Sequence, residues 1–255
     1  MISVPELLER YKDSPFVVLS DFDGTISTED SNDHVIDKFG MGEAKRRILW
    51  DKVVTGDDCF RDAFRVSLQS VRDNLTFQEC VDILSKGCQI KLDPGFLTFY
   101  EWCRAQTPAV PVIVVSSGME PIIRGIFSNL LGKKEADEID IVSNDVSLGS
   151  GPHDWEIVYR HPESGFGHDK SLAILPFKEL PHRPTLFFCG DGISDMSAAQ
   201  HADCLFVKNK EGNDLATYCT NQGFPFKLFD TFEYVLKDVQ DVIGGRKTAE
   251  EVMKS

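Results

Sequence analysis

The sequence is poor in positive charge and lacks features that identify several classes of protein. Its 255 residues include 27 Lys and Arg against 41 Asp and Glu, so the formal net charge is −14. Because nucleic acids and anionic membrane surfaces select for basic patches, we expect neither as a partner. No apolar stretch reaches the length of a membrane span, and residues 1–14 lack the basic start and apolar run of a secretory signal. These absences favour a cytoplasmic protein.

Cysteine and glycine motifs are lacking as well. The seven cysteines include no C-x-x-C pair, are odd in number and are scattered through apolar segments. This pattern favours reduced, buried thiols. No G-x-G-x-x-G follows the first predicted strand, which argues against dinucleotide binding. The apolar fraction of 42% and the charged fraction of 27% are those of an ordinary soluble globular protein.

The most informative stretch is residues 16–25, where a short apolar run ends in two aspartates. Residues 16–20 (FVVLS) show no polar alternation, which predicts a strand buried in a parallel sheet. Asp21 and Asp23 then follow its carboxyl end, where open α/β sheets bind ligands. Two neighbouring buried carboxylates need a cation or a shared proton. The stretch therefore predicts a divalent-metal site with Asp21 free to attack an electrophile, although a plain acidic turn fits the same residues.

The rest of the chain alternates strand-like and helix-like segments around one helical block. Further strands are predicted at residues 110–115, 139–146, 155–159, 185–189, 204–207 and 226–229, with the segments 139–146 and 155–159 forming a hairpin. Helices are predicted at residues 4–11, 32–39, 42–54, 58–71, 76–87, 96–106, 169–175, 197–201 and 231–242, and in a segment that begins near Pro121. This order predicts an α/β fold with parallel strands and a small helical domain inserted after the acidic turn.

Polar clusters lie at or beside the carboxyl ends of several predicted strands. Besides Asp21 and Asp23, they are Ser116 and Ser117, Lys170, and the Asp191 and Asp195 pair. Because these strand ends share one edge of a parallel sheet, the clusters are expected to converge. Each cluster also has a simpler interpretation. Asp191 and Asp195 could be a turn residue and a helix cap, Ser116 could be a helix cap, and Lys170 could be a solvated lysine.

These clusters resemble the four ordered motifs of the haloacid dehalogenase superfamily. The motifs are DFDGT at 21–25, a Ser after the next strand, a Lys, and GDGISD at 190–195. The inserted helices resemble the cap of the phosphoserine-phosphatase-like branch. Residues 21–33 (DFDGTISTEDSND) and 167–171 (GHDKS) are similar to the methylthio-diketo-phosphopentane phosphatases and their fungal phosphatase relatives. The resemblance covers most of the chain and implies a Rossmann-like core, residues 1–27 and 92–255, with a helical cap at 28–91.

The resemblance also implies an aspartyl-phosphate mechanism. Asp21 would be the nucleophile, and Asp23 would first protonate the leaving group and then deprotonate water. Mg²⁺ would be held by the side chains of Asp21 and Asp191 and the main-chain carbonyl of Asp23. Lys170 would offset the negative charge, and Asp195 would orient Lys170 or a metal-bound water. A metal and a lysine together explain how an acidic protein would hold a phosphate.

Substrate contacts are implied by the same resemblance. Ser116 and a following amide, of Ser117 or Gly118, would bind the phosphoryl oxygens. Ser117 departs from the glycine that phosphoserine phosphatases usually have there. Independently of the resemblance, Glu29, Asp30 and Asp33 follow the predicted hinge at residues 27–28, where their carboxylates would accept hydrogen bonds from hydroxyls or an amine. Arg65 resembles a cap arginine that holds a substrate carboxylate in phosphoserine phosphatases, and it equally fits a helix surface.

The resulting functional hypothesis is a Mg²⁺-dependent phosphatase that acts on a small phosphorylated metabolite, such as a sugar or polyol phosphate. A phosphotransferase or mutase would use the same four clusters. A metabolite-binding protein on a catalytically silent scaffold is a third interpretation, against which the intact Asp21, Asp23, Lys170 and Asp191 argue. The histidines show no metal-ligand spacing, and His168 is interpreted as a surface residue. The sequence does not predict the oligomeric state.

Overall fold

A computed structural model describes residues 2–87 and 90–254 of the chain. Its strands are β1 (Phe16–Ser20), β2 (Val112–Met119), β3 (Asp140–Leu148), β4 (Trp155–Val158), β5 (Thr185–Gly190), β6 (Cys204–Lys208) and β7 (Lys227–Phe229). They form one sheet in the order β4-β3-β2-β1-β5-β6-β7. β4 pairs antiparallel with β3, and the other neighbours pair in parallel.

The helices lie before, between and after the strands along the chain. They are α1 (Val4–Tyr11), α2 (Ser31–Phe39), α3 (Glu43–Thr55), α4 (Phe60–Arg72), α5 (Phe77–Asp82), α6 (Phe96–Arg104), α7 (Glu120–Leu131), α8 (Lys133–Glu138), α9 (Ser171–Lys178), α10 (Met196–Ala199), α11 (Asp214–Gln222), α12 (Phe232–Ile243) and α13 (Ala249–Met253). A π-helical segment, Ile83–Gly87, continues α5, and a 3₁₀ turn, Ile193–Asp195, precedes α10.

Strand β1 is covered on both faces, as its unbroken apolar sequence predicts. Val17 and Leu19 belong to the hydrophobic cluster on one face of the sheet, and Val18 belongs to the cluster on the other. This alternation is the two-residue period of a strand. The predicted α/β fold with helices on both faces of a mostly parallel sheet is confirmed.

The strand order changes direction at β1, and this creates the site. β1 lies between β2 and β5, with Ser20 beside Val114 on one side and Cys189 on the other. The last residues of β2 and the residues that follow β1 and β5 therefore meet at one edge. Ligands bind at such a switch point in open α/β sheets.

The helices α2 to α5 lie between β1 and α6 in the chain, where a helical insert is predicted. The two connecting segments run side by side, with a bridge between Ser27 and Leu92 and a 2.8 Å hydrogen bond from Thr28 N to the Lys91 carbonyl. The insert contacts the hairpin of β3 and β4, because Trp155 Nε1 donates to the Leu75 carbonyl at 3.0 Å. The division into a core and a cap at these connecting segments stays a prediction.

Several elements differ from the sequence-based expectation. The helix predicted over residues 76–87 is an α-helix only to Asp82 and then widens into the π-helical segment. Helices α8, α11 and α13 were not predicted. The six cysteines within the described residues are free thiols, and Cys88 lies outside those residues. In the described chain no helix combines the length and the apolarity needed to cross a membrane.

Candidate active site

The centre of the site is an ion-paired group formed by Asp21, Lys170 and Asp195. Lys170 Nζ lies 2.7 Å from Asp21 Oδ1 and 2.7 Å from Asp195 Oδ1. The lysine is fully buried, so the interpretation as a solvated lysine is wrong. Burial lowers the pKa of Lys170, but Asp195 and Asp21 more than offset this, and the net shift is upward. The ammonium group is therefore charged at neutral pH.

Asp195 reaches the lysine because its loop folds back on itself. Its Oδ2 accepts hydrogen bonds from the amides of Asp191, at 2.9 Å, and Gly192, at 3.1 Å. Gly190 makes room for this carboxyl group, because a Cβ at Gly190 would lie 2.6 Å from Asp195 Cγ. Asp195 precedes α10 in the chain, yet its side chain makes no cap hydrogen bond to that helix. The helix-cap interpretation of Asp195 is therefore wrong.

The Asp21 carboxyl group needs positive charge around it to stay ionised. Burial and the nearby Asp195 raise its pKa well above the usual range, and Lys170 opposes this rise. Carboxylate oxygens of Asp21, Asp191 and Asp195 lie within 4.8 Å of one another. Lys170 contacts Asp21 and Asp195, and Lys210 contacts Asp191. Two lysines leave one of the three carboxylates without a compensating charge, so the cluster has the charge and the hard oxygen donors that suit a divalent cation such as Mg²⁺.

Asp191 is held close to the turn after β1. Gly24 has a φ of +71°, and a Cβ at this position would collide with Asp191 Oδ2. Burial raises the pKa of Asp191 to about 6, although Lys210 acts in the opposite direction. Lys210 Nζ contacts Asp191 Oδ2. Sequence reasoning missed Lys210, even though it follows the carboxyl end of β6, the same position that identified the other clusters.

Asp23 points toward the start of the inserted helices. Its Oδ1 accepts a 2.8 Å hydrogen bond from Ser31 N, and its Oδ2 accepts a 2.9 Å hydrogen bond from Asn32 Nδ2. Burial and, to a smaller extent, Asp30 raise the pKa of Asp23 to about 7, against the opposing effect of Ser31. A carboxyl group with this pKa can both give and take a proton near neutral pH.

Between Val115 and Met119 the end of β2 leaves its regular pairing with β3 and forms a small polar loop beside Asp23. Ser116 Oγ accepts a 3.0 Å hydrogen bond from Gly118 N, and α7 begins after Met119 without a side-chain cap. The interpretation of Ser116 as a helix cap is therefore wrong. Ser117 Oγ is buried and has no hydrogen-bond partner among the described residues. A buried hydroxyl without a partner at the edge of a cavity is available to a ligand.

His168 lies buried behind this loop and contacts its backbone, whereas the sequence analysis placed it on the surface. Its side chain is fully buried, and its Nδ1 lies 2.7 Å from the Ser116 carbonyl oxygen. Because a carbonyl only accepts, Nδ1 carries the proton. Burial lowers the pKa of His168 well below its usual value, so the ring is neutral.

These groups open into one cavity of about 490 Å³. It is lined from the sheet edge by Asp21, Asp23, Ser116, Ser117, Gly118, Asp191 and Lys210, and from the inserted helices by Asp30, Asn32, Asp33, Arg46, Arg47, Trp50, Asp51, Val54, Phe60 and Phe64, among others. The structure thus brings together all the predicted site residues except Arg65, with Lys170 and Asp195 directly beneath the cavity.

Arg65 lies elsewhere. Its guanidinium group is 5.1 Å from the ring centroid of Tyr159, and its Nε is 3.7 Å from Glu156 Oε1. It is not among the described residues that line the cavity. The short sequence match therefore did not locate a side chain that faces the cavity.

Comparisons with known proteins agree with this geometry. The family model described as haloacid dehalogenase-like hydrolase matches residues 18–200. Pdp3-interacting factor 1 of Schizosaccharomyces pombe is 48% identical over 88% of this chain and 94% of its own length. Polyol phosphate phosphatase PYP1 of Saccharomyces cerevisiae is 45% identical over 94% of this chain and 98% of its own. The solved structure of a substrate-bound phosphoserine phosphatase matches 88% of this chain and 98% of its own, with a TM-score of 0.64 and 15% identity, which shows a shared fold.

Proposed function

This chain belongs to the haloacid dehalogenase-like hydrolases, and we propose that it is a Mg²⁺-dependent phosphatase that removes phosphate from a small phosphorylated polyol or sugar. The observation that carries the proposal is the contact of Lys170 with both Asp21 and Asp195 at the floor of a cavity that also holds Asp23 and Asp191. The similarity to a polyol phosphate phosphatase over nearly the whole chain supports the substrate class.

In the proposed first step, Asp21 attacks the phosphorus atom and the bond from phosphorus to the leaving oxygen breaks. Asp23 donates its proton to that oxygen, so the substrate leaves as a neutral alcohol and the phosphate stays on Asp21 as an acyl phosphate. A pKa of about 7 suits Asp23 to this proton transfer. Lys170 stabilises the negative charge that develops on the transferred group.

In the proposed second step, Asp23 takes a proton from a water molecule, which attacks the phosphorus of the acyl phosphate. Asp21 leaves as a carboxylate, and inorganic phosphate is released. Ser116 and Ser117 would hydrogen-bond the phosphoryl oxygens through both steps, and the amide of Gly118, which donates to Ser116 Oγ in this structure, would exchange that acceptor for a phosphoryl oxygen. Asp195 acts through Lys170, whose ammonium group it orients.

A divalent cation would be held by the side chains of Asp21 and Asp191 and by the main-chain carbonyl of Asp23. Both oxygens of Asp195 already accept hydrogen bonds, so its carboxylate is the least available of the three acidic groups. When bound, the ion would supply positive charge for the phosphate and keep the Asp21 carboxyl group ionised.

The test is phosphate release from a panel of glycerol, erythritol and sorbitol phosphates, sugar phosphates, phosphoserine, methylthio-ketose phosphates and p-nitrophenyl phosphate. We expect Mg²⁺-dependent hydrolysis with the polyol or sugar phosphates preferred, and its loss with EDTA. Free polyols added as acceptors separate hydrolysis from phosphoryl transfer, because a transferase would form a new ester. Failure to release phosphate from any member of the panel would contradict the proposed function.

A further inference from the structure

We propose that Asn144 is a positioning residue that aims the backbone amide of Gly118 at the substrate phosphate. The inference rests on the proposed phosphatase function and concerns the loop that would hold the phosphoryl group. Asn144 belongs to β3, is fully buried, and is not among the described residues that line the cavity. It would therefore act on the substrate only through the loop at the end of β2.

The loop at the end of β2 is a bulge, with more residues on β2 than on β3. Val115 pairs with Val142, and the next pair joins Met119 to Asn144, so three residues of β2 lie opposite one residue of β3. Bulges of this kind change the direction of backbone and side chains and are common beside active sites. The carbonyl groups of the bulge need partners outside the regular pairing of the strands, because a buried carbonyl without a partner is unfavourable.

Two fully buried side chains donate hydrogen bonds to the carbonyl groups of this bulge. His168 Nδ1 donates to the Ser116 carbonyl at 2.7 Å, and Asn144 Nδ2 donates to the Ser117 carbonyl at 2.8 Å. The orientation of the Asn144 amide is fixed, because its Oδ1 accepts a 2.9 Å hydrogen bond from Arg160 N. A carbonyl only accepts and a backbone amide only donates, so exchanging Oδ1 and Nδ2 would break both hydrogen bonds.

The contact with Asn144 determines which way the next amide points. The peptide between Ser117 and Gly118 is trans, so its carbonyl and its N–H point in opposite directions. The Ser117 carbonyl faces Asn144, and the Gly118 N–H donates to Ser116 Oγ at 3.0 Å. Ser116 and Gly118 line the cavity, so this N–H lies on the cavity side of the loop. If the peptide rotated, the carbonyl would point its negative end at the phosphate instead.

The Asn144 side chain is held by the segment that follows β4, and this segment also contacts the inserted helices. Besides its amide contact with Asn144, Arg160 donates from Nε to the Ser143 carbonyl at 3.2 Å. The preceding residue, Tyr159, donates from its hydroxyl to the carbonyl of Arg61 in α4 at 2.6 Å. The donor on Asn144 is therefore fixed by the hairpin of β3 and β4 and not by the loop that it holds, which is what a positioning group requires.

The variant Asn144→Leu separates the hydrogen bond from the space that the side chain fills. Leucine is comparable in size and has no hydrogen-bonding group, so the Ser117 carbonyl loses its donor. We expect kcat/KM to fall at least about tenfold and the inhibition constant for inorganic phosphate to rise by a similar factor, because the Gly118 amide is no longer held toward the phosphate. The affinity for Mg²⁺, measured by isothermal titration calorimetry, should be little changed, since the proposed metal ligands follow β1 and β5.

The variant Asn144→Asp tests the donor itself, because a carboxyl group can donate to the Ser117 carbonyl only when it is protonated. Burial and the facing carbonyl oxygen raise the pKa of the introduced carboxyl group, and the neighbouring Arg160 acts in the opposite direction. We expect kcat/KM relative to the wild type to recover as the pH falls from about 8 to about 5.5, with no recovery in Asn144→Leu. Dividing by the wild-type value at each pH removes the titration of Asp23.

The matched control is Asn74→Leu, which removes an exposed amide that donates to the carbonyls of Phe39 and Ser70 and should leave kcat/KM and phosphate inhibition unchanged. Unchanged phosphate inhibition in Asn144→Leu, or an equal loss of Mg²⁺ affinity, would overturn the inference while the wild type still releases phosphate. If Asn144→Leu does not fold, phosphate inhibition of Asn144→Asp that does not change with pH would overturn it. If the wild type hydrolyses no ester, including p-nitrophenyl phosphate, the proposed function itself fails and the inference falls with it.

Discussion

His168 shows how a single buried side chain can shape a site without facing it. Its Nδ1 proton is donated to the Ser116 carbonyl, and Ser116 belongs to the proposed phosphate loop. His168→Asn keeps a donor at the place of Nδ1, whereas His168→Gln moves the donor to the place of Nε2. We expect the Asn variant to retain most of kcat/KM and the Gln variant to lose about tenfold, with a higher KM, because an unsatisfied buried carbonyl costs about 1–3 kcal/mol.

Two measurements on both variants distinguish a local effect on the phosphate loop from a loss of overall stability. Thermal unfolding reports the stability of the whole protein, and inhibition by inorganic phosphate reports the affinity of the loop for phosphate. Equal loss of phosphate affinity in both variants would contradict a specific role for Nδ1.

The pH dependence of the free energy of unfolding gives a second test of the buried His168. Since burial lowers the pKa of His168 below its unfolded value of about 6.5, its contribution to stability is present above that pH and is lost as the pH falls. The Asn variant should lose less stability than the wild type between pH 7 and pH 5.

The site residues that could be predicted from the sequence are those at the ends of predicted strands. Asp21, Asp23, Ser116 and Asp191 each come directly after a buried apolar run, so their place at the sheet edge was predictable. His168 was misjudged, Lys210 was missed, and the interpretation of Arg65 stayed open, because their positions depend on which way a side chain points after packing. Periodicity carries no information about the partner that a long or buried polar side chain will find.

The first turn of α2 connects the inserted helices to Asp23, the proposed general acid and base. Asp30 caps the helix, and the next two residues donate to the two oxygens of Asp23. Asn32→Ala removes the side-chain donor and leaves the Ser31 amide. We expect kcat to fall about tenfold with KM little changed, because Asp23 loses its fixed orientation for proton transfer.

Steady-state kinetics on the preferred substrate check this prediction, with Asn221→Ala on the exposed face of α11 as the matched control. Both variants should unfold at temperatures close to that of the wild type. A loss confined to KM, or a similar loss in both variants, would show that Asn32 does not position Asp23.

Helices and strands were predictable where the hydrophobic periodicity or the capping residues are distinct. Two helices with clear capping residues were nevertheless not predicted. Asn213 caps α11, and Thr248 with Glu251 forms a capping box at α13, so both helices carried a start signal. The widening of α5 into a π-helical segment had no such signal. It occurs where the segment packs on α7: a Cβ added to Gly125 would lie 3.7 Å from Ser85 Cβ of the segment, and sequence spacing does not show this contact.

At the scale of the whole molecule, sheet topology is what makes an acidic chain able to hold a phosphate. Residues 21, 116, 170 and 191 are far apart in sequence and meet because β1 lies between β2 and β5. The strands were predictable from sequence, but their order was not, because many orders satisfy the same apolar pattern. The expected convergence of the motifs came from the shared edge of a parallel sheet, and the family resemblance was consistent with it without giving the strand order.

The most direct measurement of the central claim is phosphate release by the Asp21→Asn variant on the preferred substrate with Mg²⁺. Asparagine preserves the shape of the side chain and removes the attacking carboxylate, so we expect the rate to fall at least about 10³-fold, the scale of losing a catalytic group, in a protein that remains folded. Full hydrolysis by this variant would contradict the assignment of Asp21 as the nucleophile and the mechanism built on it.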